Sequence, residues 1–128
     1  MEAKVVLHFL GGRLVKGITR DFLPTKTSLT VIENDTGESV EAEFGQLKAI
    51  FFVKSYGGNP QGSPRQDVER AGLGRKIRVD FKDSETLIGY TSGYSPGRTG
   101  FFVFSADPED NNEKVFVIVD ATEQVSFL

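Results

Sequence analysis

The sequence predicts an all-β fold made of two tandem five-stranded barrels packed together, and three observations carry that prediction. Residues 4–31 align with residues 76–103 at a constant offset of 72 without a gap. Seven pairs are identical: Lys4/Lys76, Phe9/Phe81, Gly17/Gly89, Thr19/Thr91, Pro24/Pro96, Thr27/Thr99 and Val31/Val103. A match at fixed offset marks one supersecondary unit used twice. Short runs of apolar and β-branched residues recur between turn signals, the pattern of half-buried strands. Each half has only about 50 residues, a size at which a single core is marginal. The halves are therefore expected to share apolar surface.

Lys4–Phe9 reads as the first strand, closed by the Gly11-Gly12 turn. Arg13–Phe22 reads as a long second strand interrupted by Gly17, which marks a bulge or bend. Gly89 stands at the same step of the second copy, so both glycines are read as the point where a long strand bends to serve two sheets. Pro24 cannot donate to a ladder and ends the strand. Thr27–Glu33 is a third strand, and Asn34-Asp35-Thr36-Gly37 is a hairpin turn. Glu38–Phe44 alternates Val40, Ala42 and Phe44 with Glu41 and Glu43, which predicts a strand with one wet face. A tight turn at Gly45-Gln46 leads to Ala49–Val53, a fifth and mostly buried strand.

The second copy repeats the order with strands at Lys76–Phe81, Glu85–Tyr94, Thr99–Ser105, Lys114–Val119 and Gln124–Leu128. Its last hairpin, Ala106–Glu113, is longer and shifts the final strands to an offset of 75, pairing Ile50 with Val125 and Phe52 with Phe127. The domain reading is a first barrel over 1–54, a Gly/Pro/Ser-rich linker over 55–74 and a second barrel over 75–128. One helical turn is expected within the linker, over Arg65–Ala71.

Five short antiparallel strands in so few residues describe a small SH3-like or Sm-like barrel, which closes to remove aggregation-prone edges. KVVLHFLGGRLVKGIT resembles the first Sm motif: alternating strand, tight turn, Arg, apolar residue, Gly. KIRVDFKDSETLIGYT is similar but has Asp83-Ser84-Glu85 in place of the Gly-Arg pair. The whole chain also resembles an uncharacterised bacterial family of paired barrels that sometimes accompany signalling domains. The Sm resemblance implies single-stranded RNA as a ligand. However, the asparagine and Arg-Gly pair of the RNA-binding loops are missing from both copies, and function lives in sites and not in folds.

The charge of −3 is unevenly spread, with residues 76–128 carrying five basic and nine acidic groups. Nucleic-acid binders cluster Lys and Arg against phosphates, so the balance speaks against that partner. Cysteine is absent, which excludes disulfides and thiolate metal sites. No run approaches the ~18 apolar residues of a membrane span, and a cytoplasmic location is expected.

The best surface candidates are the two equivalent corners at Pro24-Thr25-Lys26-Thr27 and Pro96-Gly97-Arg98-Thr99. Each offers a cation and a hydroxyl (Lys26 and Thr27, Arg98 and Thr99) to an anionic ligand, with Arg13 and Arg20 nearby in sequence. The bland reading is a β-turn with proline at its first corner. Asp107, Asp110, Asn111, Asn112 and Glu113 crowd one hairpin without EF-hand spacing, and a solvated acidic turn is expected. His8 is the single histidine, with no cysteine or second histidine to build a zinc site or nucleophile–base pair. No cofactor or enzyme activity is expected. The function expected is a non-catalytic adaptor for a protein partner in bacterial regulation. The alternative is RNA or anion binding at the two proline corners.

Overall fold

The structure is a computed structural model that describes residues 2–58, 65, 72–95 and 97–128. Among these residues ten strands follow in chain order: β1 (Ala3–Phe9), β2 (Leu14–Thr19), β3 (Ser28–Glu33), β4 (Ser39–Glu43), β5 (Leu47–Val53), β6 (Arg75–Phe81), β7 (Thr86–Thr91), β8 (Gly100–Ser105), β9 (Asn112–Ile118) and β10 (Thr122–Phe127). They form one open antiparallel sheet of order β10-β6-β7-β8-β9-β5-β1-β2-β3-β4. The fold is all-β. Both halves have the same internal order, with the fifth strand beside the first and the fourth at the far end. They are joined through backbone hydrogen bonds between β5 and β9.

The registers of the halves agree. Val5 faces Phe52 as Ile77 faces Phe127, and Val31 faces Val40 as Val103 faces Val115. Several boundaries differ from the sequence reading. The second strand stops at Thr19 because Asp21 turns inward, its carboxylate accepting the Thr30 N–H at 2.9 Å and the Thr19 hydroxyl at 3.1 Å. The turn before β5 is a 3-10 turn over Phe44–Gln46. The helical turn expected over 65–71 lies outside the described residues, apart from Arg65.

Gly17 and Gly89 serve one sheet, and their role is space. The first residues of β2 pair only with β1, and β3 joins from Gly17 onward, opposite Glu33. In the second half β8 joins at Gly89, opposite Ser105. A Cβ at Gly17 would stand 2.7 Å from Val31 Cγ1 and closer still to the Ile32 carbonyl. One at Gly89 would stand 2.7 Å from Val103 Cγ1 and closer still to the Phe104 carbonyl. Glycine at these steps lets the third strand of each unit come in.

The joint explains the adjacent phenylalanines. Successive strand residues face opposite sides, so Phe52 and Phe51 cannot share one core. Phe52 packs edge-on to Phe22 at 5.3 Å inside the first half. Phe51 points the other way, into a cavity walled by Phe81, Leu87 and Val103 of the second half. Phe101 stays with Tyr94 at 4.8 Å, whereas Phe102 reaches Phe22 and Phe52 of the first half, each at 5.9 Å. Phe116 of β9 is fully buried against Phe22 at 5.1 Å and Phe44 at 5.7 Å. Both faces of β5 and of β9 from Val115 onward are thus covered, which requires near-continuous apolar runs.

The acidic hairpin between β8 and β9 is not a solvated turn. Asp107 and Asp110 are buried and accept local hydrogen bonds, Asp107 from the Glu109 N–H and Asp110 from the Ser105 hydroxyl and Asn112 N–H. The extra residues also hold the start of the linker. The Asn111 amide exchanges hydrogen bonds with the Ser55 backbone, and Lys54 Nζ donates to the Pro108 carbonyl at 2.9 Å.

Candidate binding cavity between the halves

A cavity of about 430 Å³ opens where the two halves meet. Its apolar walls come from Phe51 on β5, Phe81 on β6, Leu87 and Ile88 on β7, Val103 on β8 and Val115 on β9. Polar groups stand around them: His8, Glu85, Arg65, Ser105, Asp110 and Asn112. An apolar pocket with a few convergent polar groups is the form that ligand sites take.

His8 projects from the β1 face opposite the Leu7 core, and its ring stacks on Phe51 with centroids 4.0 Å apart. Beside it Lys48 is 8% exposed and pairs across the joint with Asp83, at 2.7 Å, and with Glu85. Its ammonium also lies 4.6 Å from the Phe81 ring centroid. The turn carrying these carboxylates is held in shape by the Glu85 N–H, which donates to Asp83 Oδ1 at 3.0 Å. Asp83-Ser84-Glu85, which stands where the first copy has Gly11-Gly12-Arg13, thus supplies the counter-ions for a lysine of the other half.

The electrostatics follow from that packing. Burial pushes His8 down to about 4, and the Lys48 ammonium adds to the effect while Glu85 and Asp83 oppose it. Burial alone would lower Lys48, but its hydrogen bonds and charge pairing with Asp83 and Glu85 outweigh that and hold it above its ordinary value. His8 is neutral at pH 7, and acid has to charge it against Lys48. Between 6.5 and about 4 the unfolded chain binds a proton that the folded chain does not. The stability that depends on neutral His8 is therefore fully present above pH 6.5 and falls as pH drops toward 4. His8→Gln should remove about 2 kcal/mol of that loss, after allowance for solvent screening at this half-buried site. Urea midpoints at pH 7.5 and 4.5 check it. Equal losses in both proteins would place the acid sensitivity elsewhere.

The residues singled out from sequence lie away from this cavity. Arg13 is exposed, 5.2 Å from the Phe9 ring centroid, and Arg20 pairs with Glu2 at 2.8 Å. Lys26 Nζ donates to the Asp21 carbonyl at 3.2 Å. The two corners are equivalent turns: the Lys26 N–H donates to the Leu23 carbonyl, and the Arg98 N–H to the Ser95 carbonyl, each at 3.1 Å. Thr27 and Thr99 use their carbonyls to accept the N–H groups of Phe44 and Val119. Pro24 is exposed at its turn, and Pro96 lies outside the described residues. None of Arg13, Arg20, Lys26 or Arg98 lines the cavity. Sequence reading missed Lys48, Asp83 and Glu85 as a unit, since only the β5–β9 pairing brings them together.

Among the described residues, no group of three or more histidines or carboxylates is placed to hold a metal ion. No helix among them is long and apolar enough to cross a membrane. No curated protein and no solved structure matches the chain. The pattern of DUF6982, a family of unknown function, matches residues 1–128, and the chain belongs to that family.

Proposed function

We propose that the chain is a non-catalytic adaptor, acting in bacterial regulation within the cytoplasm, that engages a protein partner through the depression at the junction of its halves. We read each half as a small SH3-like or Sm-like barrel left open between its fourth and fifth strands, a reading supported by the matching strand order and registers. One observation carries the adaptor reading. The cavity and a neighbouring groove of about 230 Å³ share His8, Phe51 and Asn112 in their walls, and the groove runs out to Leu14 and Lys16. Leu14 is 50% exposed, and on the same sheet face the paired Ile18 and Ile32 continue the apolar surface. An exposed apolar surface with a polar rim is the form of an interaction site. His8 has no hydrogen-bonded nucleophile or carboxylate among the described residues, which supports binding over catalysis.

The test is affinity capture with the wild-type chain and with Leu14→Glu/Ile32→Glu, two exposed positions. The wild type should retain one stoichiometric protein, and the double variant should lose it. Capture that is unchanged in the variant would overturn this surface. The second reading, an anionic ligand at Lys26, Thr27, Arg98 and Thr99, is favoured only by the exposure of both cations on equivalent turns. We expect no binding to single-stranded RNA tighter than about the 10⁻⁴–10⁻⁶ M of non-specific contacts. A salt-tolerant submicromolar complex would move the function to those corners.

A further inference from the structure

We propose that the free edge of β4 is a docking site for an extended basic segment of a partner protein, added antiparallel as a further strand. This deepens the adaptor reading, on which it rests in taking a protein as the partner.

The chain itself shows that this edge of the repeat accepts a strand. β9 is the second-half equivalent of β4, and its outer edge is filled by β5. In the first half the equivalent edge ends the sheet, so a row of backbone donors and acceptors has no strand beside it among the described residues. The side chains along the two edges say what each one takes. Through the shared register, Glu41 of β4 corresponds to Phe116 of β9, Ala42 to Val117 and Glu43 to Ile118. In the filled joint, Ile50 faces Phe116 and Ala49 faces Val117. An apolar edge has taken an apolar strand.

The free edge keeps an apolar inner face, with Ala42 fully buried and Val40 partly so, but exposes Glu41 and Glu43 on the outer face. Its complement alternates Lys or Arg opposite the glutamates with apolar residues opposite Val40 and Ala42, since opposite charges across a strand pair attract. Main-chain bonds supply affinity in such strand addition, and alternate side chains supply specificity. A second copy of this chain fits poorly. It would bring β10, the equivalent of β5, and the same register carried one residue further would set Glu123 level with Glu43. Val125 would face Glu41. Like charges opposite each other oppose pairing.

The experiment is a fluorescence anisotropy titration of the full chain with a labelled alternating Lys–Val heptapeptide. An alternating Glu–Val peptide is the control. We expect saturable binding of the Lys–Val peptide that weakens with salt and is absent for Glu–Val. Glu41→Lys/Glu43→Lys should weaken it at least about tenfold. Methylating the nitrogen of every second residue, tried in both phases, should abolish binding in the phase that faces β4, because it removes ladder donors and no charge. The methylated peptides probe the wild-type protein, so the result does not hang on the folding of the variant. Lack of saturable binding, or binding indifferent to methylation or to the lysine variant, would overturn the proposal. So would self-association of the chain altered by Glu43→Lys, which would assign the edge to a second copy. Loss of peptide binding while the wild type still captures a partner through Leu14 and Ile32 would remove the edge and leave the adaptor reading standing.

Discussion

Phe116→Ala is expected to destabilise the protein by about 3–5 kcal/mol, the range for removing a fully buried phenylalanine, and to destabilise both halves together. Phe116 belongs by sequence to the second half, but its ring is buried among Phe22 and Phe44 of the first and Phe102 of the second. Truncation would leave a cavity in the first core and loosen β9 against β5. A chemical denaturation curve should therefore shift as a single transition, with unchanged slope. The same cooperativity can be read by expressing residues 1–54 and 75–128 separately and mixing them. Each fragment alone should lack a sharp thermal transition, because β5 or β9 is then stripped of its neighbour, and the mixture should recover one. Two fragments that melt sharply alone and do not associate would show two independent units.

Gly17→Val and Gly89→Val are each expected to cost about 3 kcal/mol, the upper part of the range for overpacking. The obstacle at each site is a backbone carbonyl together with the Cγ1 of a buried valine of the neighbouring strand. Neither can swing aside as a flexible side-chain end would. The Ala variants should lie between Val and wild type. Gly45→Ala, where an added Cβ meets nothing within 4 Å, should stay within about 0.5 kcal/mol of wild type. Thermal melts of the set check the ordering. A Gly89→Val protein that melts within a degree of the parent would show that β8 can move away from β7 at little cost.

Much of this architecture is local, and local features are legible in sequence. Short apolar and β-branched runs between turn signals locate the ten strands, Asn34–Gly37 marks its hairpin, and the fixed offset picks out Gly17 and Gly89 as equivalent. Ends are less legible where a side chain competes with the ladder, as Asp21 does after β2. The β5–β9 joint is not local. Phe51-Phe52 and Phe101-Phe102 show that some rings must leave their own half, but not which strands meet. The cavity and the Lys48–Asp83–Glu85 cluster are consequences of that meeting, and were invisible for the same reason. The acidic hairpin misleads because composition alone does not reveal that Asp107 and Asp110 turn their oxygens onto nearby backbone and hydroxyl donors.

The β5–β9 pairing also has a kinetic side. Every other neighbouring pair of strands lies within one half, whereas these two strands lie about half the chain apart. Non-local pairings form slowly, since loop closure precedes the contacts that reward it. Once the two halves have begun to collapse, β5 and β9 would wait with open edges, and they carry the most continuously apolar runs of the chain. The interval before they meet is when one molecule is most exposed to another. Lengthening the linker should prolong that interval only slightly, because doubling a flexible loop adds about 0.6 kcal/mol to closure. Protein concentration during refolding, rather than linker length, should then decide how much chain is lost to aggregation.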